Sequence, residues 1–342
     1  MRVVVFGASG NLGTSTLEEL SADPAVDEIV AVARRLPASS PLPKVAWRAA
    51  DIAVDDLGGL VRGADAVVHL AWALQPSGNP SALQQVNIAG SRRVFVAAAG
   101  ARARALVYAS SVGAYSPAPK EQPRDESWPT DGVATSTYSR QKAYVERMLD
   151  AYECVHPELR VVRLRPGLVF QAAAAEEIRQ LFVGRRLPLA TLLRRGVPVV
   201  PGLVGLAFQA VHAHDVGRAV ARAVTTRATR GAYNLAADPV LTPDVLAEVL
   251  GARLVPVPSA LARAGISLSF ALHLQPSEPG WLDLALSCPL MQTSRARDEL
   301  GFAPEHSSTA AVRDVLRALT DGATAPTPPL IEPLGVQGAP GS

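Results

Sequence analysis

The chain has 342 residues, 48% of them hydrophobic, and 33 basic against 31 acidic residues leave a formal net charge of +2. That is enough apolar material for a core that needs no staples, and too little basic excess for a dedicated nucleic-acid binder. No run approaches the ~18 apolar residues of a membrane span, and no charged leader or apolar h-region precedes the first strand. The two distant cysteines, Cys154 and Cys288, build neither a disulfide scaffold nor a cysteine-rich zinc site. A cytoplasmic protein without metal, membrane or nucleic-acid partner is expected.

In chain order, Arg2–Phe6 (RVVVF) predicts a buried strand, followed by a glycine turn and a helix near Leu12–Leu20. Strands follow at Glu28–Ala33, Val45–Arg48 and Ala66–Leu70, then a long helical segment over Ser81–Ala99. Ala105–Ala109 is a strand, Tyr138–Cys154 a helix and Arg160–Leu164 a strand. Continuous apolar strands alternating with helices predict an α/β fold, a Rossmann-type doubly wound parallel sheet covered on both faces. After Pro166 the rhythm changes to helical segments near Glu176–Val183, Asp215–Thr226, Pro243–Leu250, Ala260–Leu272 and Thr309–Leu319. The expected organisation is a dinucleotide-binding domain over 1–170 and a smaller, mainly helical substrate portion over 171–320, with returns to the main sheet at about 208–236. Residues 321–342 hold five prolines and four glycines, which predicts a flexible tail.

The first turn reads Gly7-Ala8-Ser9-Gly10-Asn11-Leu12-Gly13. Gly7 permits a tight turn, Gly10 lets the backbone approach a pyrophosphate, and Gly13 lets helix and strand pack closely. Backbone N–H groups and the helix dipole then favour an anion. About 20 residues beyond such glycines, an acid would hold the ribose 2′-hydroxyl of NAD, whereas an arginine suits the 2′-phosphate of NADP. Here the second strand ends Ala33-Arg34-Arg35, which favours NADP(H), with NAD(H) as the alternative. Asp51-Ile52, after the third strand, is a candidate for the adenine contact or, equally, an ordinary capping turn.

Only three lysines occur, Lys44, Lys120 and Lys142, so their positions carry information. Tyr138 and Lys142 stand at i and i+4 and share one face of a helix. A cation about 4 Å from a phenol at an effective dielectric of ~20 supplies ~4 kcal/mol, about three pKa units, and brings the hydroxyl towards a useful range for proton transfer. His69, His212 and His214 lack companion ligands at metal spacing, and His69 reads as a packed strand residue.

Together these segments resemble the extended branch of the short-chain dehydrogenase/reductase superfamily, the NAD-dependent epimerase/dehydratases, over about residues 1–320. The resemblance rests on GASGNLG at 7–13, DI at 51–52, VVHLAW at 67–72, NIAGSRRVFVAA at 87–98 and YASSVGAYS at 108–116, with YSRQK at 138–142, LRPGLVF at 164–170, VHAHDVGRAV at 211–220, YNLA at 233–236 and RARDELGFAP at 295–304. It implies that Tyr138 is the general acid–base and that Lys142 binds the nicotinamide ribose. Ser111, with Ser110 as the alternative, would hydrogen-bond the substrate oxygen, and Asn87 would join this catalytic network or serve as a structural amide. Leu70-Ala71 would line the cofactor and Pro166-Gly167 would back the nicotinamide. His212 and Asp215 match an element that closes the sheet beneath the site. A homodimer through the helices near 81–99 and 138–154 is also implied.

Many nucleotide-sugar members carry Tyr-Gly-Pro-Arg-like residues where this chain reads Leu168-Val169-Phe170-Gln171, and Ala114-Tyr115-Ser116 replaces the usual V-Y-G. Trp72 and Phe170, with Trp281 a further candidate, would give the pocket an apolar wall. Arg185, Arg186, Arg194 and Arg195 form a solvated face or a phosphate site. With Arg34 favouring NADPH, the expectation is reduction of a small ketone to a secondary alcohol. The alternatives are a nucleotide-sugar epimerase or dehydratase with bound NAD, and a non-catalytic NADP-binding sensor.

Overall fold

The apolar runs of the first half are buried on both faces, as a parallel sheet demands: Val3, Val4, Val5 and Phe6 have 0% exposure. This computed structural model describes residues 1–37, 42–74, 80–182, 189–272, 275 and 277–321. In chain order its elements are β1 (Arg2–Phe6), α1 (Asn11–Ala22), β2 (Glu28–Ala33), β3 (Val45–Ala49), α2 (Gly58–Val61), β4 (Ala66–His69), α3 (Pro80–Gln84), a π-helical segment (Gln85–Gly90), α4 (Ser91–Gly100), β5 (Ala105–Ala109), α5 (Thr137–Val155), β6 (Arg160–Pro166) and β7 (Leu168–Phe170). There follow α6 (Ala175–Phe182), α7 (Leu189–Arg195), β8 (Val199–Leu203), β9 (Phe208–His212), α8 (Ala213–Thr225), β10 (Gly231–Leu235), β11 (Ala237–Leu241), α9 (Pro243–Leu250), β12 (Arg253–Val257), α10 (Ser259–Ala271), α11 (Gly280–Ser287), α12 (Ser294–Leu300) and α13 (Ser308–Asp321).

Seven strands form one sheet in the order β10-β6-β5-β4-β1-β2-β3, with every neighbouring pair parallel. The order reverses between β1 and β4, which makes a crevice at their C-terminal ends. One face packs on α1 and α8 through Leu17, Leu20, Val216 and Val220. The other packs on α4 and α5 through Val94, Phe95, Ala98, Val145 and Leu149. The predicted doubly wound sheet is therefore observed.

The second half has helices at the five predicted places, α6, α8, α9, α10 and α13, and adds short strands that the sequence does not mark. Of the expected returns, β10 pairs with β6 in the main sheet, but β9 joins a separate three-stranded sheet in the order β11-β9-β7. A further two-stranded sheet pairs β12 with β8. These strands are short and proline-broken, VVPGL and ADPVL among them, so they lack the long alternation that marks a strand in sequence. The chain leaves β6 for β7 at Gly167, where a Cβ would lie 2.4 Å from the Gln209 carbonyl oxygen. Helix α11 forms where the sequence predicts no helix, and it contributes to the site described below. The tail beyond Asp321 lies outside the described residues, as do Arg185 and Arg186.

Candidate active site

Gly7 has a φ of +84°, and a Cβ there would sit 2.5 Å from the Ala71 nitrogen. Glycine thus serves both the turn and the close approach of Leu70-Ala71. At Gly13 a Cβ would meet the Gly7 carbonyl oxygen at 2.3 Å, so this position holds α1 against the turn. Gly10 is different, since its Cβ would find only the Gly7 oxygen at 3.5 Å, an ordinary contact. Its missing side chain leaves open space above the turn. No side chain caps α1 at Gly10, so the first N–H groups of the helix have no capping acceptor from that residue. Open space and uncapped donors fit a pyrophosphate.

Around this cradle, Val32 O accepts from the Gly7 and Ala8 N–H groups at 3.0 and 3.2 Å, which sets the end of β2 beside the turn. Arg34 and Arg35 follow, both exposed. Ser9 is buried and Leu12 half-buried against the core. The Asn11 side chain turns towards β7, donating to Val169 O at 3.2 Å and accepting from Gln171 Nε2 at 2.7 Å. Asp51 Oδ1 accepts from Ala53 N at 2.8 Å in a local turn, while Ile52 is buried and packs on Gly90. Pro166 and Gly167 end β6, where Gly167 N donates to Leu235 O at 2.9 Å.

On the same sheet edge, β5 runs into Ser110 and Ser111. Ser111 Oγ accepts from Gly113 N at 3.0 Å and shapes a tight turn over Val112–Ala114. The Tyr138 ring lies flush on that turn: a Cβ at Gly113 would come 2.8 Å from Tyr138 Cε1 and 3.3 Å from Ser111 Oγ. Burial pushes the Tyr138 phenol up to about 12, and its hydrogen bond with Ser111 counters part of that rise. Lys142, one helical turn on, is 3% exposed. Its ammonium donates to Ala109 O at 2.7 Å and to Tyr108 Oη at 3.4 Å, and lies 3.6 Å from the centre of the Trp72 ring.

The direct priming expected from the i, i+4 spacing is not in place in this arrangement. The ammonium is 5.9 Å from the Tyr138 ring centre, because the Ala109 carbonyl and the Trp72 indole hold it. Burial draws Lys142 well below the ordinary lysine range, and the Glu146 carboxylate opposes that fall.

Asn87, in the π-helical segment, is 1% exposed and fully engaged. Its Oδ1 accepts from Ala73 N at 2.7 Å, and its Nδ2 donates to Ala73 O at 3.0 Å and to Gln141 Oε1 at 2.8 Å. It positions the loop after β4. Trp72 stands edge-on to Tyr138 at 6.1 Å, and Trp281 of α11 stacks on the Tyr138 ring at 4.9 Å and 30°. The structure does not bring Phe170 to this group; its ring packs with Ala175, Val315 and Ala318 against α13, because β7 belongs to the second sheet.

Three further residues complete the site. Glu146 is 0% exposed on α5 and receives Arg165 at 2.9 and 3.0 Å, Arg163 at 3.3 Å and the Ser110 hydroxyl at 2.5 Å. Burial would raise its carboxyl, but Arg165, Arg163 and Ser110 outweigh burial and hold it below the usual range. The legible signal was Arg163 and Arg165 in a strand buried on both faces, where a guanidinium must be paired. Glu278 accepts from Thr137 N at 3.0 Å and so caps the helix that carries Tyr138 and Lys142. Lys120 donates to Ala285 O at 2.9 Å and to Cys288 O, which holds the end of α11.

The histidines lie elsewhere. His69 is wholly buried, its Nε2 2.8 Å from Ser91 Oγ, and burial holds its pKa at about 3. His212 stacks on His306 at 4.1 Å, caps α8 by accepting from His214 N, and is pushed by burial to about 4. Asp215 accepts from Glu305 N at 2.9 Å and binds Arg218. These are packing and capping roles. Arg194 donates to Thr320 O, and Arg195 is exposed. Among the described residues, no group of three or more His, Cys, Asp and Glu side chains suits a metal ion, and no helix is long and apolar enough to cross a membrane.

The model of the NAD dependent epimerase/dehydratase family matches residues 3–236. The uncharacterized protein Rv2047c of Mycobacterium tuberculosis (strain ATCC 25618 / H37Rv) is 29% identical over 322 residues, 93% of this chain, yet the chain spans only 30% of that relative's length. L-arabinose 1-dehydrogenase (NAD(P)(+)) of Haloferax volcanii is 30% identical over 189 residues, 52% of this chain and 70% of that protein. Among solved structures, the UDP-glucose 4-epimerase of Thermus thermophilus in complex with NAD superimposes with a TM-score of 0.68 at 22% identity, covering 94% of this chain and 100% of the other. At that identity the likeness is one of fold.

Proposed function

The chain belongs to the NAD dependent epimerase/dehydratase family, and from that premise we propose that it exchanges hydride between a nicotinamide cofactor and a hydroxyl-bearing carbon of a small molecule. The observation that carries this reading is the gathering of Ser111, Tyr138 and Lys142 on the sheet edge that also bears the glycine cradle. Gly7, Ser9, Gly10, Asn11, Leu12 and Gly13 would hold the pyrophosphate, and Arg34, Arg35, Asp51 and Ile52 the adenosine half. Leu70, Ala71, Tyr138, Lys142, Pro166 and Gly167 would hold the nicotinamide half. When bound, the cofactor supplies a reversible two-electron hydride acceptor.

The residues' own work follows from their chemistry. Ser111 hydrogen-bonds the substrate oxygen. Tyr138 takes the hydroxyl proton as the carbinol is oxidised and returns it on reduction. Lys142, held in this arrangement by the Ala109 carbonyl and the Trp72 indole, would stabilise the phenolate, which burial disfavours, once it is brought nearer to it. Glu146 keeps a counter-charge one helical turn from that ammonium.

The family and the fold likeness to NAD-bound nucleotide-sugar enzymes support an epimerase or dehydratase that restores NAD in each turnover. A second reading, net reduction of a ketone with NADPH, is favoured by Arg34 in the place where NAD binders carry an acid. Mass spectrometry of the ligand released from purified protein separates them. Retained NAD and conversion of a UDP-sugar without net absorbance change at the nicotinamide band supports the first; NADPH consumption with a ketone supports the second. Tyr138→Phe abolishes either activity with cofactor binding retained, and full activity in that variant would remove the proton-transfer role.

A further inference from the structure

Among the described residues, the pocket beside Tyr138 is small. The space enclosed by Trp72, Asn87, Tyr138, Gln141, Glu278 and Trp281 is about 10 Å³, enough for one water at most. Lys142 lies behind Trp72: its ammonium is 3.6 Å from the ring centre and the residue is 3% exposed. A ligand that reaches this ammonium must displace the indole.

The backbone beside Trp72 is pinned on both sides. Leu70 N donates to Phe6 O at 2.9 Å, and the Asn87 amide makes two hydrogen bonds to Ala73, at 2.7 and 3.0 Å. Displacement is therefore a rotation about the side-chain torsions of Trp72 and not a movement of its loop. The indole is also incompletely satisfied where it stands. Trp72 Nε1 is buried and has no hydrogen-bond partner, a cost that favours a second position offering an acceptor.

We propose that Trp72 is a side-chain gate on Lys142, holding the ammonium by a cation–π contact and yielding it to a ligand with vicinal hydroxyl groups, such as the ribose of a dinucleotide. This rests on the reading that Lys142 meets the cofactor. An apolar ligand cannot open the gate, because it offers the ammonium nothing in exchange for the indole face, whereas hydroxyl oxygens accept the ammonium's hydrogen bonds.

The test is ¹⁹F NMR of the intact chain labelled with 5-fluorotryptophan. Four resonances arise, from Trp47, Trp72, Trp128 and Trp281, and Trp72→Phe identifies one of them. On titration with NAD⁺, and separately NADP⁺, the Trp72 resonance shifts while those of Trp47 and Trp128 stay in place. Calorimetry shows Trp72→Ala binding the dinucleotide about 2- to 30-fold more tightly than wild type, since no cation–π contact is lost. Trp72→Phe falls between, because benzene is the weaker π-face. Calorimetric binding with an unmoved Trp72 resonance overturns the gate and leaves the functional reading standing. Weaker binding by Trp72→Ala also overturns it and makes the indole a wall. If neither dinucleotide binds wild type, the functional reading fails and the gate has no ligand to yield to.

Discussion

The Ser110 hydroxyl donates to the buried Glu146 carboxylate at 2.5 Å, and this bond assigns different work to two adjacent serines. Ser110 belongs to the ion network behind the site, whereas Ser111 is the hydroxyl beside Tyr138. The two alanine variants therefore separate. Ser110→Ala removes a hydrogen bond to a buried charge and lowers stability by about 1.5–3 kcal/mol. Ser111→Ala costs about 1 kcal/mol for the Gly113 N–H that loses its cap, and reduces turnover at least tenfold. Equal effects of both on turnover, at equal stability, would contradict the assignment.

Gly113 is small because the Tyr138 ring lies against it. Gly113→Ala places a methyl 2.8 Å from Tyr138 Cε1, so the ring must shift. Because the obstruction is a side chain and not backbone, the fold survives. The expected outcome is a fall in kcat of tenfold or more with Tm lowered by only a few degrees. A variant of unchanged kcat would show that the ring's position on the turn is irrelevant to chemistry.

His69 makes the fold acid-sensitive. Its folded pKa is held near 3, first by burial and then by the Lys142 charge, against about 6.5 when unfolded. Between these values the unfolded chain binds more protons. The contribution is therefore fully present above pH 6.5 and is lost as pH falls towards 3, at up to about 1.4 kcal/mol per pH unit. His212, held at about 4, adds in the same direction. His69→Phe keeps a ring between Phe95 and Tyr108 and leaves Ser91 bonded to Asn87 O at 2.6 Å. Urea unfolding from pH 7.5 to 4.5 should show a shallower loss in that variant, and an identical slope would refute the account.

Arg34 is exposed directly after the strand whose Val32 carbonyl holds the glycine turn, and on the proposed reading it would meet the adenosine half of a dinucleotide. Arg34→Asp weakens NADP⁺ binding at least tenfold and NAD⁺ by no more than about twofold, as read by calorimetry, because a carboxylate repels a 2′-phosphate and accepts a 2′-hydroxyl. Equal losses would place Arg34 outside the adenosine site.

Glu278 couples the C-terminal half to the helix that carries Tyr138 and Lys142. Its carboxylate accepts from Thr137 N at 3.0 Å and Thr137 Oγ1 at 3.2 Å, one residue before Tyr138. Glu278→Ala should cost about 1 kcal/mol of stability by the loss of this cap. It should also raise hydrogen exchange at the first turn of α5 while leaving the α1 amides protected. Uniform changes across both helices would indicate general destabilisation.

The sheet and its turn were legible in the chain because their causes are local. Strand burial on both faces demands unbroken apolar runs such as RVVVF and ALVYA, and a turn that must admit Ala71 and the Gly7 carbonyl demands glycine at 7 and 13. The i, i+4 spacing likewise set Tyr138 and Lys142 on one helix face. What tertiary structure decided was what those groups meet. What the Lys142 ammonium meets comes from distant segments: the Ala109 carbonyl of β5 takes its hydrogen bond, and Trp72, in the loop after β4 more than 60 residues away, covers it. Trp281 and Glu278 reach the site from α11 and the residues just before it, more than 130 residues beyond Tyr138. Phe170, adjacent to the glycine turn's own anchor at Gln171, is carried away by a change of sheet. Periodicity records which face of an element is buried; it carries no record of the partner from a distant segment that covers that face.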